Sequence, residues 1–197
     1  MDVEDLNYST SAESMGVMLR SDRQRRGGFV TAAVRFVGGW LRSMSSEPAT
    51  AHPDGSGIVA FVGSVNQRRP LEALKECHAC PSIEVISLVS HLDLGLPRFP
   101  LARAYARSLR HLGHALRAAR RSSGYRRLGW RHEGQEYLLT FGLVEAATEW
   151  LKDVAPDAVL ISNDHSMRPR AMAYAAGQLG IPTIYVQHAS VSPAFPP

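Results

Sequence analysis

Two short apolar, β-branched runs, 158–161 and 181–186, flank a helix-length segment of about a dozen residues. Runs this short, bounded by polar and turn-forming residues, read as buried strands. A helix between two such strands is the crossover that joins parallel neighbours, so the spacing predicts a βαβ unit and a parallel sheet. Each run ends in a polar cluster containing histidine: Asn163-Asp164-His165-Ser166 after the first, Gln187-His188 after the second. Ligands of open α/β sheets bind outside the carboxyl ends of the strands. The spacing therefore places His165 and His188 on one sheet edge, with Asn163, Ser166 and Gln187 beside them.

The same alternation extends toward the N-terminus. Ile58 to Val62 is a buried-strand run, Ile83 to Val89 a second, and strands are expected near 58–63, 83–88, 158–163 and 181–187. Helices are expected at 69–79, over Leu101 to Arg121 and within Arg131–Val154. In the last, Tyr137, Phe141, Val144, Thr148 and Leu151 recur at helical spacing. The fold class is α/β: a Rossmann-like parallel sheet over 58–197 with helices on both faces. Residues 1–57 read as a helical, partly disordered appendage ending in a linker rich in Ser, Pro, Gly and Ala. Its segment Phe29 to Met44 is amphipathic. It is expected either to pack on its own domain or to lie on a membrane surface with Phe29, Phe36 and Trp40 inserted.

Composition narrows the function classes. The first 28 residues hold no apolar core of a secretory signal, and no apolar run is long enough to span a bilayer, so a cytoplasmic protein is expected, with peripheral contact at the inner face of the membrane as an extension. Cys77 and Cys80 form a lone C-x-x-C at the end of an expected helix, without a second pair to complete a zinc site, and read as reduced thiols. No bound metal and no cofactor are expected.

Charge is unevenly spread. Among 22 basic residues only Lys75 and Lys152 are lysines, and from Arg98 to Arg131 there are ten arginines and no carboxylate. On a helix over 101–121, Arg103, Arg107, Arg110, His114, Arg117 and Arg121 fall within about 40° of one line, with Leu101, Tyr105, Leu109, Leu112 and Leu116 opposite. Arg103, Arg107, Arg110 and Arg117 are thus the candidates for holding an anionic polymer, lipid or acidic sugar, and a solvated face is the plain alternative. No aromatics interleave with these arginines and no nucleic-acid-binding signature is present, so nucleic acid is not the expected partner.

The strand ends suggest a chemistry. An imidazole titrating near neutrality can take a proton from a hydroxyl nucleophile, which makes His188 the first candidate base and His165, next to Asp164, the second. Ser166 suits a helix N-cap, and Arg168 and Arg170 follow in the first turn, where an anionic substrate group would also meet the positive helix end. After the first strand, Gly63 allows a tight turn, and Ser64 and Asn66 at the next helix start are candidate substrate contacts. No G-x-G-x-x-G or Walker sequence is present.

The stretch Ser162-Asn163-Asp164-His165-Ser166, a helix, Leu179-Gly180-Ile181-Pro182-Thr183, a strand and Val186-Gln187-His188-Ala189 resembles the end of the N-terminal, acceptor-side half of GT-B glycosyltransferases. It is most similar to those that build bacterial capsular and surface polysaccharides. A related His-Gly-Thr-Pro element occurs in teichoic-acid glycerophosphotransferases, whose histidine is regarded as the base, so the resemblance implies that role for His188. Ala189 stands where the family has glycine. The resemblance also implies a donor-binding second domain, which would follow Pro197 and is absent from this chain, so sugar-nucleotide transfer by the chain alone is not expected. The alternative function is a non-catalytic α/β module that binds an anionic polymer or lipid through its arginine-rich helix.

Overall fold

The computed structural model describes residues 29–44, 57–75, 82–89, 95–121, 124–162 and 166–186. In chain order these form α1 (Phe29–Met44), β1 (Ile58–Val62), α2 (Val65–Lys75), β2 (Ile83–Ser87), α3 (Leu101–Ser108), a 3₁₀ turn (Leu109–His111), α4 (Leu112–Arg121), α5 (Gly124–Val154), β3 (Ala158–Ile161), α6 (Met167–Gln178) and β4 (Thr183–Tyr185). The strands make one parallel sheet in the order β2-β1-β3-β4. All four expected strands are present, and 158–161 and 183–185 pair in parallel through Val159 with Thr183 and Ile161 with Tyr185.

Alternation along the strands separates two cores. Val59, Phe61, Ile86, Val159 and Ile161 face α3, α5 and α6, whereas Ala60, Val62, Ile83, Val85 and Leu160 face Leu71 of α2. Helices thus cover both faces, as a parallel sheet requires. In the larger core Phe61, Phe99 and Trp150 meet edge to face, with ring centroids 5.8 to 6.3 Å apart. Each such pair adds about 0.5–1.5 kcal/mol beyond its burial and locks β1 to α5.

The helix boundaries show what the sequence reading passed over. Helix α2 begins at Val65, ahead of the expected 69, because Ser64 rather than Pro70 marks its start. Ser64 Oγ accepts from the Gln67 amide at 3.4 Å, and Gln67 Oε1 reaches back to accept from the Gly63 amide. This resembles an S-x-x-Q cap, except that Gln67 reaches one residue past the N-cap, to Gly63; two amides at the helix entrance are satisfied, and Pro70 is tolerated inside at the cost of one backbone bond. At the far end of α6, Gly180 has φ of 71°, the Ile181 amide donates to the Ala176 carbonyl and the Gly180 amide to Gly177. That is a Schellman stop, with Ile181 folded onto the core and Pro182 leading into β4.

The expected helix over 101–121 is not continuous. Leu101, Ala104, Tyr105 and Ser108 are buried, but Leu109 and Leu112 are exposed, contrary to the apolar line drawn from the sequence. The 3₁₀ turn at Leu109–His111 has fewer residues per turn than an α-helix, so it rotates the phase of everything after it, and Ala115 is the buried residue of α4. The cause of the small-residue seam is Gly142 of α5. A Cβ there would overlap the Ala104 carbonyl oxygen and the Ser108 amide nitrogen, so the two backbones touch. Ser108 Oγ lies 2.7 Å from the Ala104 carbonyl oxygen and 3.3 Å from that of Leu139, filling the seam with a hydrogen bond.

Helix α5 is also more deeply set than one apolar stripe implies. Leu139, Leu143, Ala146, Ala147 and Trp150 are buried along with Tyr137, Phe141, Val144 and Leu151, because α1, α3, α6 and the sheet surround it. Helix α1 is seated on the same core. Phe36 is buried edge to face against Tyr105 at 4.9 Å, and Trp40 packs at its margin. Phe36 is therefore committed to the protein's own core and is not an inserting residue.

Gly142→Ala should cost several kcal/mol in urea unfolding, since backbone cannot yield to the added methyl. Gly113→Ala, in α4 with nothing within 4 Å of the new Cβ, should instead leave stability unchanged or raise it by up to about 1 kcal/mol. Equal effects at the two sites would contradict the close helix crossing.

Candidate functional site

In the order β2-β1-β3-β4, the connection from β1 runs to one side and that from β3 to the other. The point where the order reverses lies between β1 and β3, and the carboxyl ends of the strands there are where the topology of an open parallel sheet puts a crevice. Gly63 and Ser64 follow β1 on one side of it; Ser162 follows β3 on the other, and Ser166 begins α6. The sequence reading centred the site on β3 and β4. The strand order adds the end of β1 to the same edge, on the other side of β3, which no local pattern could reveal.

Helices α2 and α6 both begin at this edge, so their positive ends face it. They differ in how they are capped. The entrance of α2 is satisfied by Ser64 and Gln67, so Ser64 serves as a cap. Ser166, at the N-cap of α6, has extended backbone, makes no side-chain capping bond and is exposed. Gln67, buried behind the β1 turn, is a contributor the sequence reading missed; the S-x-x-Q spacing was the available signal. The Ser162 hydroxyl, just past β3, is fully buried, and among the described residues it is the buried side-chain polar atom with no hydrogen-bond partner. Leaving such a group unpaired costs about 1–3 kcal/mol, so its place at the crevice calls for an explanation.

Of the residues expected to act, Asn163, Asp164, His165, Gln187 and His188 lie outside the described residues, as do Cys77 and Cys80, and Asn66 is described in its backbone alone. The chain leaves β3 and β4 side by side, at the paired residues Ile161 and Tyr185.

Arg168 is turned inward. Its Nη2 and Nε donate to the two Glu136 carboxylate oxygens at 2.9 and 3.2 Å, and its Nη1 donates to the Leu88 carbonyl oxygen at 2.8 Å. One side chain thus ties the first turn of α6 to α5 and to the end of β2. Burial works against the guanidinium charge, and the Glu136 carboxylate beside it restores that charge and holds it above its ordinary value. Burial pushes the nearby Tyr105 phenol up, while Arg168, whose charge is close by and which donates to the phenol oxygen, pulls it the other way. Arg170 is half-buried in the same helix. It is Arg168 whose fork is filled by Glu136 and which braces the start of α6.

The arginine stripe has carboxylate neighbours after all, supplied from α5. Arg107 makes a two-pronged ion pair with Glu149, and His111 Nε2 lies 2.6 Å from Glu145 Oε1. His111 also stacks on Phe141 at 5.5 Å. The bond from Arg107, followed by the fields of Arg107, Arg103 and Arg110, holds the Glu149 carboxyl below its ordinary value. Arg103, Arg110 and Arg117 are exposed. The cationic face is therefore partly neutralised, with Arg107 paired to Glu149 at the surface.

Comparison with family models, curated protein sequences and solved structures found no match. Among the described residues no group of His, Cys, Asp and Glu is arranged to hold a metal ion, and no helix is long and apolar enough to cross a membrane.

Glu136→Ala, which strands the largely buried Arg168 charge, should destabilise by about 3–5 kcal/mol in chemical denaturation. Replacing both partners by apolar residues of similar size should recover much of that loss, and a single mutant as stable as wild type would remove the tie. Glu149 should titrate by NMR below the usual glutamate range, and Arg107→Ala should move its midpoint up. A folded-state value depressed in this way adds stability above the unfolded glutamate's pKa and loses it as pH falls through the folded one. The wild-type advantage over Arg107→Ala should therefore shrink on acidification, not on alkalinisation.

Proposed function

We propose that this chain is the acceptor-side α/β module of a transferase acting on surface polysaccharide, either a glycosyltransferase or a glycerophosphate-type transferase. What carries the reading is the Ser162 hydroxyl, buried and without a partner at the reversal point of a parallel sheet. A polar group left unpaired there is matched by a polar ligand in the crevice. Support comes from the two helix entrances that open on the same edge and from the exposed, uncapped start of α6. Both suit a phosphate or carboxylate on the acceptor. The parallel pairing of β3 with β4 is the arrangement on which the roles of His165 and His188 rely.

In this reading His188 is the base that takes the proton from the acceptor hydroxyl as it attacks the donor's anomeric carbon or phosphorus. His165 and Asp164 assist, and Asn163, Gln187 and Ser166 orient the acceptor. Arg168 positions the α6 entrance through Glu136 and Leu88. The sugar-nucleotide donor is bound by a further domain or chain.

Glycerol 3-phosphate and acidic oligosaccharide, titrated into the chain, should shift the amide resonances of Gly63, Ser64 and Ser162 to Ser166. Ser162→Ala should weaken that binding by about tenfold while leaving stability equal or about 1 kcal/mol higher, because it removes an unpaired buried hydroxyl. Resonances that stay still with both ligands, or a Ser162→Ala variant that binds as wild type and unfolds earlier, would count against the reading. In a complete transferase containing this module, His188→Ala should lower turnover by about 10²–10⁴-fold with folding intact.

A further inference from the structure

Helix α1 carries two faces. Phe36, Gly39 and Ser43 are buried against the domain, with Tyr105 pressed onto Gly39 so closely that a Cβ there would overlap its phenol. The opposite face exposes Val30, Val34, Val37, Leu41 and Met44, with relative exposures of 74%, 65%, 49%, 61% and 64%. These five apolar residues recur at alternating intervals of four and three, the spacing of the a and d positions of a coiled-coil seam. The borders of the stripe are Thr31 and Gly38 on one side and Ala33 and Trp40 on the other, none of them charged. Arg35 and Arg42 lie further round, on one side alone.

We propose that this stripe is the contact between two copies of the chain, which pair α1 against α1 about a two-fold axis near Val37. The stripe is nearly symmetric about Val37, whose neighbours Val34 and Leu41, then Val30 and Met44, lie at almost equal distances along the helix. An isologous pairing needs a self-complementary patch of this kind. Uncharged borders mean that like charges do not meet across the seam, and the small residues Ala33 and Gly38 let the two backbones approach. The exposed side chains offer on the order of 500 Å² per copy, so a pair buries about 1,000 Å², the lower bound for a specific interface. The dimer is accordingly weak, with a dissociation constant on the order of 10 μM. A lipid surface fits less well: interfacial helices flank their apolar face with cations on both sides, whereas here Arg35 and Arg42 are exposed on one side alone and the face opposite the stripe is buried in the protein's own core.

Sedimentation of the full chain from low micromolar to several hundred micromolar concentration should show a reversible monomer–dimer equilibrium. The double variant Val34→Glu, Leu41→Glu, at exposed sites and with unchanged circular dichroism, should weaken it at least about tenfold. Independently of that variant's folding, Val37→Cys in a Cys77→Ser, Cys80→Ser background should cross-link to its own copy under mild oxidation, and Arg35→Cys should not. A wild-type chain that stays monomeric throughout, or a dimer that survives the glutamates, would overturn the proposal. So would a failure of Val37→Cys to cross-link. Wild-type chain that is monomeric yet sediments with phosphatidylglycerol vesicles, with the glutamate variant left behind, would overturn it in favour of lipid.

Discussion

Gly142 lets α5 touch the backbone of α3, and much of the molecule follows from that contact. The stretch of α5 from Tyr137 to Val154, with most of its residues buried, must meet its neighbours closely or leave voids, and voids in a core are costly. With the seam at Ala104, Ser108 and Gly142 fixed, Glu149 comes level with Arg107 and Glu145 with His111. Further toward the N-terminal end of α5, Glu136 meets Arg168. One helix thus supplies the counter-charge for Arg107 and His111, whose own stretch of sequence from 98 to 131 holds no carboxylate, and for Arg168 as well. The polar contacts follow the packing; they do not set it.

This explains which parts of the fold were legible beforehand. Strand runs such as Ile58 to Val62 and Ala158 to Ile161 announce themselves because each is buried on both faces and must be apolar throughout. The Gly180-Ile181-Pro182 stop of α6 is equally local, being a matter of one φ angle and two backbone bonds. The start of α2 is also local, set by Ser64 with Gln67 ahead of the expected 69. By contrast, the ion pairs of Arg107 and Arg168 join residues 42 and 32 positions apart, and no window of sequence contains both partners. The phase slip at Leu109–His111 was hidden for a related reason: helical periodicity assumes a constant twist, and tertiary packing decided where the twist changed.

The site divides along the same line. That polar residues would gather at the carboxyl ends of the strands was readable from where each apolar run stops. Which two strand ends face each other depends on order, and β2-β1-β3-β4 puts the reversal between β1 and β3. Ser162 and Ser64 thereby become crevice residues from opposite sides, one with an unused hydroxyl and the other spent on a helix cap. A serine's letter in the sequence is the same in both cases. Its hydrogen-bond inventory, available only in three dimensions, is what separates a structural serine from a candidate ligand contact.

Arg168 illustrates why charge near a site is weak information by itself. Placed in the first turn of α6, it looks suited to an anion, and the helix end would favour one. Yet a guanidinium that is largely buried must be neutralised within the fold before any ligand arrives, or folding bears its desolvation. Glu136 does this in a two-pronged geometry, with the Leu88 carbonyl taking a further donor. The consequence is mechanical: the entrance of α6, the end of β2 and the middle of α5 are held as one piece. A sheet edge braced by such a tie has its shape fixed by the fold itself, so any group that docks there need not supply the energy of ordering it.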